Sequence, residues 1–152
     1  VAALGLASMI IGFSELAGEG IAAFLADRIG KERSIAVGFI ANGLGVIALP
    51  LLGKSQVGAF IWLVIFYMTF EIAIISTLPL MTEVIPKARA TMMALFIAAL
   101  SLGRAIGDVF GPQLFTGGMW INALACFVLN ILAVFLLTRI KLPAQKERES
   151  LI

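Results

Sequence analysis

Long apolar stretches alternate with short polar breaks along the whole chain. Five stretches, at roughly 1–26, 34–53, 57–82, 88–115 and 118–138, each supply the roughly 20 residues that a helix needs to cross the hydrocarbon of a bilayer. The pattern predicts an all-α fold, a polytopic membrane bundle of five transmembrane helices over 1–141, followed by a charged tail over 142–152.

The breaks differ in charge. Arg28, Lys31 and Arg33 lie at the first, Lys87 and Arg89 at the third, and Arg139, Lys141, Lys146 and Arg148 after the last stretch. The second break holds Lys54, and the fourth, Thr116-Gly117-Gly118, holds no charge. Basic residues are retained on the cytoplasmic side of a membrane. The first and third breaks and the C-terminus are therefore expected to face the cytoplasm, in a plasma or inner cell membrane.

Composition agrees with this placement and removes other classes. The chain is 61% hydrophobic and 13% charged, with a mean hydropathy of +1.09, whereas soluble domains carry about 25% charged residues. A net charge of +2 gives no argument for nucleic acid. The single cysteine, Cys126, lies inside an apolar stretch and excludes an intrachain disulfide; the lack of histidine removes the commonest general base and metal ligand. With no nucleotide-binding loop either, neither a cofactor nor an enzymatic activity is expected. The chain opens at Val1, inside an apolar run and without a start Met or secretory signal, which reads as a fragment of a longer protein.

The first break carries more than a turn requires. Leu25-Ala26-Asp27-Arg28-Ile29-Gly30-Lys31-Glu32-Arg33 holds five charges in seven residues. A hairpin accounts for Gly30, which can end the incoming helix in the left-handed conformation, and for Lys31 and Arg33, which can stay in water beside headgroups. It does not account for Asp27, because acidic residues contribute little to membrane orientation. A solvated charge cluster is the plain alternative.

From Ala23 to Lys31 the order Ala-x-Leu-Ala-Asp-Arg-x-Gly-Lys resembles the signature loop of the major facilitator superfamily, Gly-x-Leu-Ala-Asp-Arg-x-Gly-Arg/Lys. Ala23 stands where the pattern has Gly, and Glu32 where a base is common. The resemblance implies that Asp27, Arg28, Gly30, Lys31 and Arg33 form a gating loop, docking on a neighbouring helix in one conformation and releasing it in another. It also implies a position in the family fold. The second copy of that loop joins the eighth and ninth of twelve helices, and four helices follow it here, so the chain would supply helices eight to twelve and lack an N-terminal half. Glu83-Val84-Ile85-Pro86-Lys87-Ala88-Arg89 resembles the family's loop before helix eleven, where Pro86 suits a first helical turn because its missing N–H would be unpaired there anyway.

Charges at membrane depth are the candidate chemistry. Glu15 and Glu19 lie in the first stretch, Glu71 in the third, and Arg104 and Asp108 in the fourth. At about 1.5 Å per residue, Glu15 is roughly 18 Å from Asp27, and Glu71 is as far from Glu83, close to the midplane of a core about 30 Å thick. Each such group costs roughly 2.5–3.5 kcal/mol to insert, so it should face a partner or a water-filled cavity. Ser8, Gly12, Glu15 and Glu19 share one helical face. Two carboxylates one turn apart in a low dielectric cannot both ionise cheaply, so one is expected to carry a proton near neutral pH; a structural site completed by a base from an absent helix is the alternative. Arg104 and Asp108 are also one turn apart and can pair with each other. Beside them Ala99, Gly103, Gly107 and Gly111 repeat every four residues, a smooth strip suited to close or sliding helix packing. Tyr67 lies one turn before Glu71 among Phe60, Trp62, Phe66 and Phe70, an arrangement fit for a lipophilic cation or for bulk facing lipid with an interfacial Trp. Pro79 is expected to kink the third helix, and Asn122, Cys126 and Asn130 to serve as polar glue on the fifth.

The expected function is secondary transport by alternating access. Four acids against one base at depth favour protons and a small lipophilic or cationic substrate. The signature loop and the Gly-rich fourth helix look most like the drug:proton antiporters, a multidrug efflux branch, and the Pro-Glu-Thr-Lys-Gly loop of sugar porters is not present. The alternatives are an uptake permease for a small metabolite and a non-transporting membrane interaction protein.

Overall fold

A computed structural model of the protein describes residues 2–140; the expectations for the tail, including Lys141, Lys146 and Arg148, lie outside the described residues. Five helices follow one another: α1 (Ala2–Ile29), α2 (Lys31–Leu52), α3 (Gln56–Val84), α4 (Arg89–Thr116) and α5 (Met119–Leu137), with a single 3-10 turn, Pro86–Ala88, leading into α4. All five are long and apolar enough to cross a membrane, and no strand occurs among the described residues. The largest departures from the hydropathy pattern flank the first break, where α1 ends at 29 rather than 26 and α2 begins at 31 rather than 34. Charged residues end an apolar run, yet they do not end a helix, whose backbone gains a hydrogen bond for each residue it keeps.

Only Gly30 stands between α1 and α2. Its φ of 86° and ψ of 158° are not the left-handed helical values that the sequence suggested. They lie in a region that is open in practice only to glycine. From there the Gly30 carbonyl accepts hydrogen bonds from the Ser34 N–H (3.0 Å) and the Ser34 hydroxyl (2.9 Å), which anchors the first turn of α2. At the start of α3, the Ser55 side chain accepts from the Gly58 N–H at 3.1 Å, an ordinary N-cap. Pro86 opens the turn before α4, as its ring geometry favours, and α3 runs on as helix through Pro79.

Helix α3 is the axis of the bundle, packed along both α1 and α2, and α2 in turn reaches α5. Hydrophobic burial gives no drive between helices in lipid, so close association depends on small side chains that let backbones meet. On α1 the buried residues are Ser14, Gly18 and Ala22, spaced by four. A Cβ built on Gly18 would lie 2.6 Å from the Met68 carbonyl oxygen and 2.7 Å from Glu71 Cβ, so α1 and α3 touch backbone to backbone there. On α2 the strip is Ser34, Gly38, Asn42 and Val46, facing Thr69, Ala73, Ser76 and Leu80 of α3. A Cβ on Gly38 would sit 2.6 Å from the Ala73 nitrogen.

Helix α4 is the exception. It touches α3 and α5 but has no buried residue along its length. One end of the bundle carries the α1–α2 corner and the α3–α4 turn, tied together by an ion pair between Lys31 and Glu83. The α2–α3 and α4–α5 turns meet at the other end, where Gly53 approaches Met119.

Candidate functional site

The site begins at the α1–α3 crossing. Gly18 removes the side chain that would hold the helices apart, and Glu71 occupies the space with its Cβ against the α1 backbone. Glu15, one turn before Gly18, is half-buried at the edge of the contact, and Glu19 is exposed beside it. Arg104 approaches from α4, forming a wall of the adjoining groove with Phe70 and Ile74, the neighbours of Glu71 on α3. Glu71 thus lies within electrostatic reach of Glu15, Glu19 and Arg104, three residues from two other helices. Tyr67, one turn from Glu71, is half-buried and meets Phe66 edge-on at 5.3 Å.

Asp108 is not drawn into this group. It is exposed on α4, and the internal Arg104–Asp108 ion pair permitted by their spacing is not made. Gly103, Gly107 and Gly111 face open space, with nothing within 4 Å of a Cβ built on any of them. Ser8 and Gly12 are likewise exposed, so the face they share with Glu15 and Glu19 runs along the open side of α1.

The loop residues gather at the charged end. Lys31, at the first turn of α2, pairs with Glu83 near the end of α3; their side chains are 37% and 28% exposed, so water partly screens the pair. Arg28 folds back over the Phe24 ring at 4.7 Å, a cation–π contact within α1. Asp27 and Arg33 are exposed. The side chain that joins the signature loop to another helix is therefore Lys31. Its partner was readable only as an acid three residues before Pro86, in a break on the same side of the membrane.

The aromatic run on α3 is not lipid-facing bulk. Trp62, Phe66 and Phe70 stack in succession, with centroids 4.9 and 6.1 Å apart. Trp62 donates its indole N–H to the Gly45 carbonyl at 2.9 Å, which places it in the α2–α3 seam. Farther along that seam, buried Asn42 donates to the Phe66 carbonyl and to Thr69 Oγ1, both at 3.1 Å, and Thr69 donates on to the Ile65 carbonyl at 2.7 Å. The polar glue expected of α5 lies here on α2 instead. Asn130 donates to the Cys126 carbonyl of its own helix at 2.9 Å, although both residues do line a small cavity of about 250 Å³ facing Asn42.

A larger cavity of about 870 Å³ lies between α4 and the α2–α3–α5 face. Its walls are almost wholly apolar, with Phe39, Phe70 and Phe96 among them, and its charged groups among the described residues are Arg104 and Arg139. Arg139 covers the Phe135 ring at 4.7 Å at the charged end of the bundle. Among the described residues no group of His, Cys, Asp or Glu is arranged to hold a metal ion.

Five bilayer-length helices joined through small-residue seams define a multi-pass α-helical membrane protein. The chain belongs to the major facilitator superfamily, whose sequence profile matches residues 1–151. No curated protein and no solved structure matches it. The family places the chain among membrane transporters of small molecules, in a lipid bilayer, and the resemblance first seen in the Ala23–Lys31 loop holds at that level.

Proposed function

We propose that this chain is the C-terminal part of a proton-coupled antiporter that exports a small lipophilic or cationic compound by alternating access. The observation that carries the reading is the placement of Glu71 at a backbone-close helix crossing, with Glu15 and Glu19 beside it, in helices that cross hydrocarbon. Carboxylates are tolerated at that depth when they serve a proton or substrate path or meet a partner, and a site near mid-depth between packed helices is where secondary transporters bind their cargo. Glu15, Glu19 and Glu71 handle the proton and substrate in this reading. Arg104 balances their charge, Tyr67 lines the approach, and Asp108 extends the polar path along α4.

The open state of α4 supports a larger molecule. A helix with no buried residue and a glycine strip facing nothing is completed by further helices, which we assign to an N-terminal half of the same chain. The bases gathered at the end holding Gly30 and Pro86 orient that end, and the C-terminus, to the cytoplasm of a plasma or inner membrane. Asp27, Arg28, Gly30, Lys31 and Arg33 act there as the gate, with the Lys31–Glu83 pair as its latch to α3.

Inverted vesicles carrying the full-length protein test the reading. An imposed proton gradient drives accumulation of a fluorescent lipophilic cation, and both Glu15→Gln and Glu71→Gln abolish that dependence on the gradient. Full gradient-driven accumulation in either variant removes that carboxylate from the coupling path. Accumulation driven by the opposite gradient makes the protein an uptake permease.

A further inference from the structure

Two amide oxygens, one on α2 and one on α5, are left over from the interhelical hydrogen bonds and border one cavity. Asn42 is 5% exposed, and its amide nitrogen donates twice to α3, to the Phe66 carbonyl and to Thr69 Oγ1. A backbone carbonyl can only accept, so the nitrogen must be the atom on α3 and the oxygen is the atom left over. That oxygen accepts from no donor among the described residues. It is not sealed in either, since the fully enclosed side-chain atom without a partner is Ser76 Oγ. Asn130 on α5 is oriented by the same rule: its nitrogen donates to the Cys126 carbonyl, and its oxygen has no donor among the described residues. A Cβ on Gly43 would lie 3.3 Å from Asn130 Cβ, so α2 and α5 meet closely here. Both amides line the cavity of about 250 Å³ between α2, α3 and α5.

The cavity therefore offers two acceptors, no charged side chain among the described residues, and the rings of Phe39, Phe66 and Phe70. Counted from Gly30 along α2, Asn42 is about 18 Å deep, out of reach of lipid headgroups, and an acyl chain has no proton to donate. Water has the protons but needs two to four polar partners each, so walls of phenyl rings leave most of the volume dry. Helix α4 supplies none of the described lining residues, so the site does not depend on how α4 is completed. We propose that this cavity binds an uncharged aromatic amine, its two N–H groups donating to the Asn42 and Asn130 oxygens and its ring lying among Phe39, Phe66 and Phe70. Offset and edge-on contacts favour a ring in such a setting, and each hydrogen bond satisfies an oxygen that is costly to bury without a donor. Occupancy bridges α2 and α5. The site stands apart from the proton path, because Glu15, Glu19 and Glu71 do not line it, and it survives if the antiport reading fails.

Equilibrium dialysis of 1-aminonaphthalene against the full-length protein in nanodiscs, with protein-free nanodiscs subtracted, tests the site. Saturable binding is expected, and 1-methylnaphthalene, which has the same shape without the donors, is expected to bind about tenfold more weakly. Asn130→Leu is expected to weaken 1-aminonaphthalene about fivefold and to leave 1-methylnaphthalene unchanged. Asn42→Leu should act in the same direction, but it also loses its bonds to α3. Asn130→Leu, whose other bond stays within α5, is the variant that isolates the site. Equal affinity for the two naphthalenes overturns donor recognition and leaves ring burial alone. Unchanged binding of 1-aminonaphthalene in Asn130→Leu puts the molecule elsewhere and overturns the site. No saturable binding of either compound leaves the cavity to water and refutes the proposal outright.

Discussion

Helices α1 and α4 carry the same signature and put it to opposite use. Ser14, Gly18 and Ala22 recur every four residues on α1, and Ala99, Gly103, Gly107 and Gly111 do so on α4. On α1 the strip is fully engaged: a methyl group added to Gly18 would run into the Met68 carbonyl and Glu71. On α4 a methyl group at Gly103, Gly107 or Gly111 meets nothing. Small-residue spacing therefore marks where a helix is able to approach another, and the neighbour decides whether it does. The difference also sorts the bundle into a fixed part, α1, α2, α3 and α5, and a lightly held α4 that carries Arg104.

Substitutions at the two strips test this division most directly. Gly18→Ala and Gly38→Ala each force a Cβ to within 2.6 Å of backbone atoms, and each is expected to destabilise the protein by about 2–3 kcal/mol, seen as a lower melting temperature in detergent. A neutral Gly18→Ala would place α1 farther from α3 than described here. Asn42→Leu removes two interhelical hydrogen bonds and is expected to cost about 1–1.5 kcal/mol, measured in the same way. Next comes Lys31→Ala, at about 0.5 kcal/mol, because its pair with Glu83 is partly exposed. The double reversal Lys31→Glu with Glu83→Lys should recover that loss, and a reversal that recovers nothing would mean the contact is incidental. Smallest in magnitude is Gly103→Ala in the 152-residue chain, where the strip meets no other helix, expected to raise stability by about 0.5 kcal/mol through reduced backbone entropy. If Gly103→Ala instead lowered the melting temperature as far as Gly18→Ala, the contrast between the strips would be lost.

The helices were legible in the sequence because an apolar run of about 20 residues permits few solutions. The turn at Gly30 was legible too, although not its conformation. Glu71 stood out by its depth, since a carboxylate so far from water draws notice in any apolar run. Its seat against Gly18 did not, because Gly5, Gly12, Gly18 and Gly20 look alike along α1, and only a partner helix separates Gly18 from the rest. The partner of Trp62 was hidden for a related reason, because the Gly45 carbonyl that accepts from its indole N–H lies seventeen residues earlier on another helix. Lys31 was noticed without Glu83. Residues that depend on composition were readable, whereas those that depend on which helix lies alongside were not.

The corner at Gly30 has a mechanical consequence. A linkage of one residue has only two soft torsions, so the tips of α1 and α2 cannot part even though glycine lets the angle between them change. A displacement of the end of α1 therefore carries the first turn of α2 with it, and α2 meets α3 at Gly38. Any stroke beginning at the acidic crossing would then reach the Lys31–Glu83 pair without needing a flexible loop to carry it.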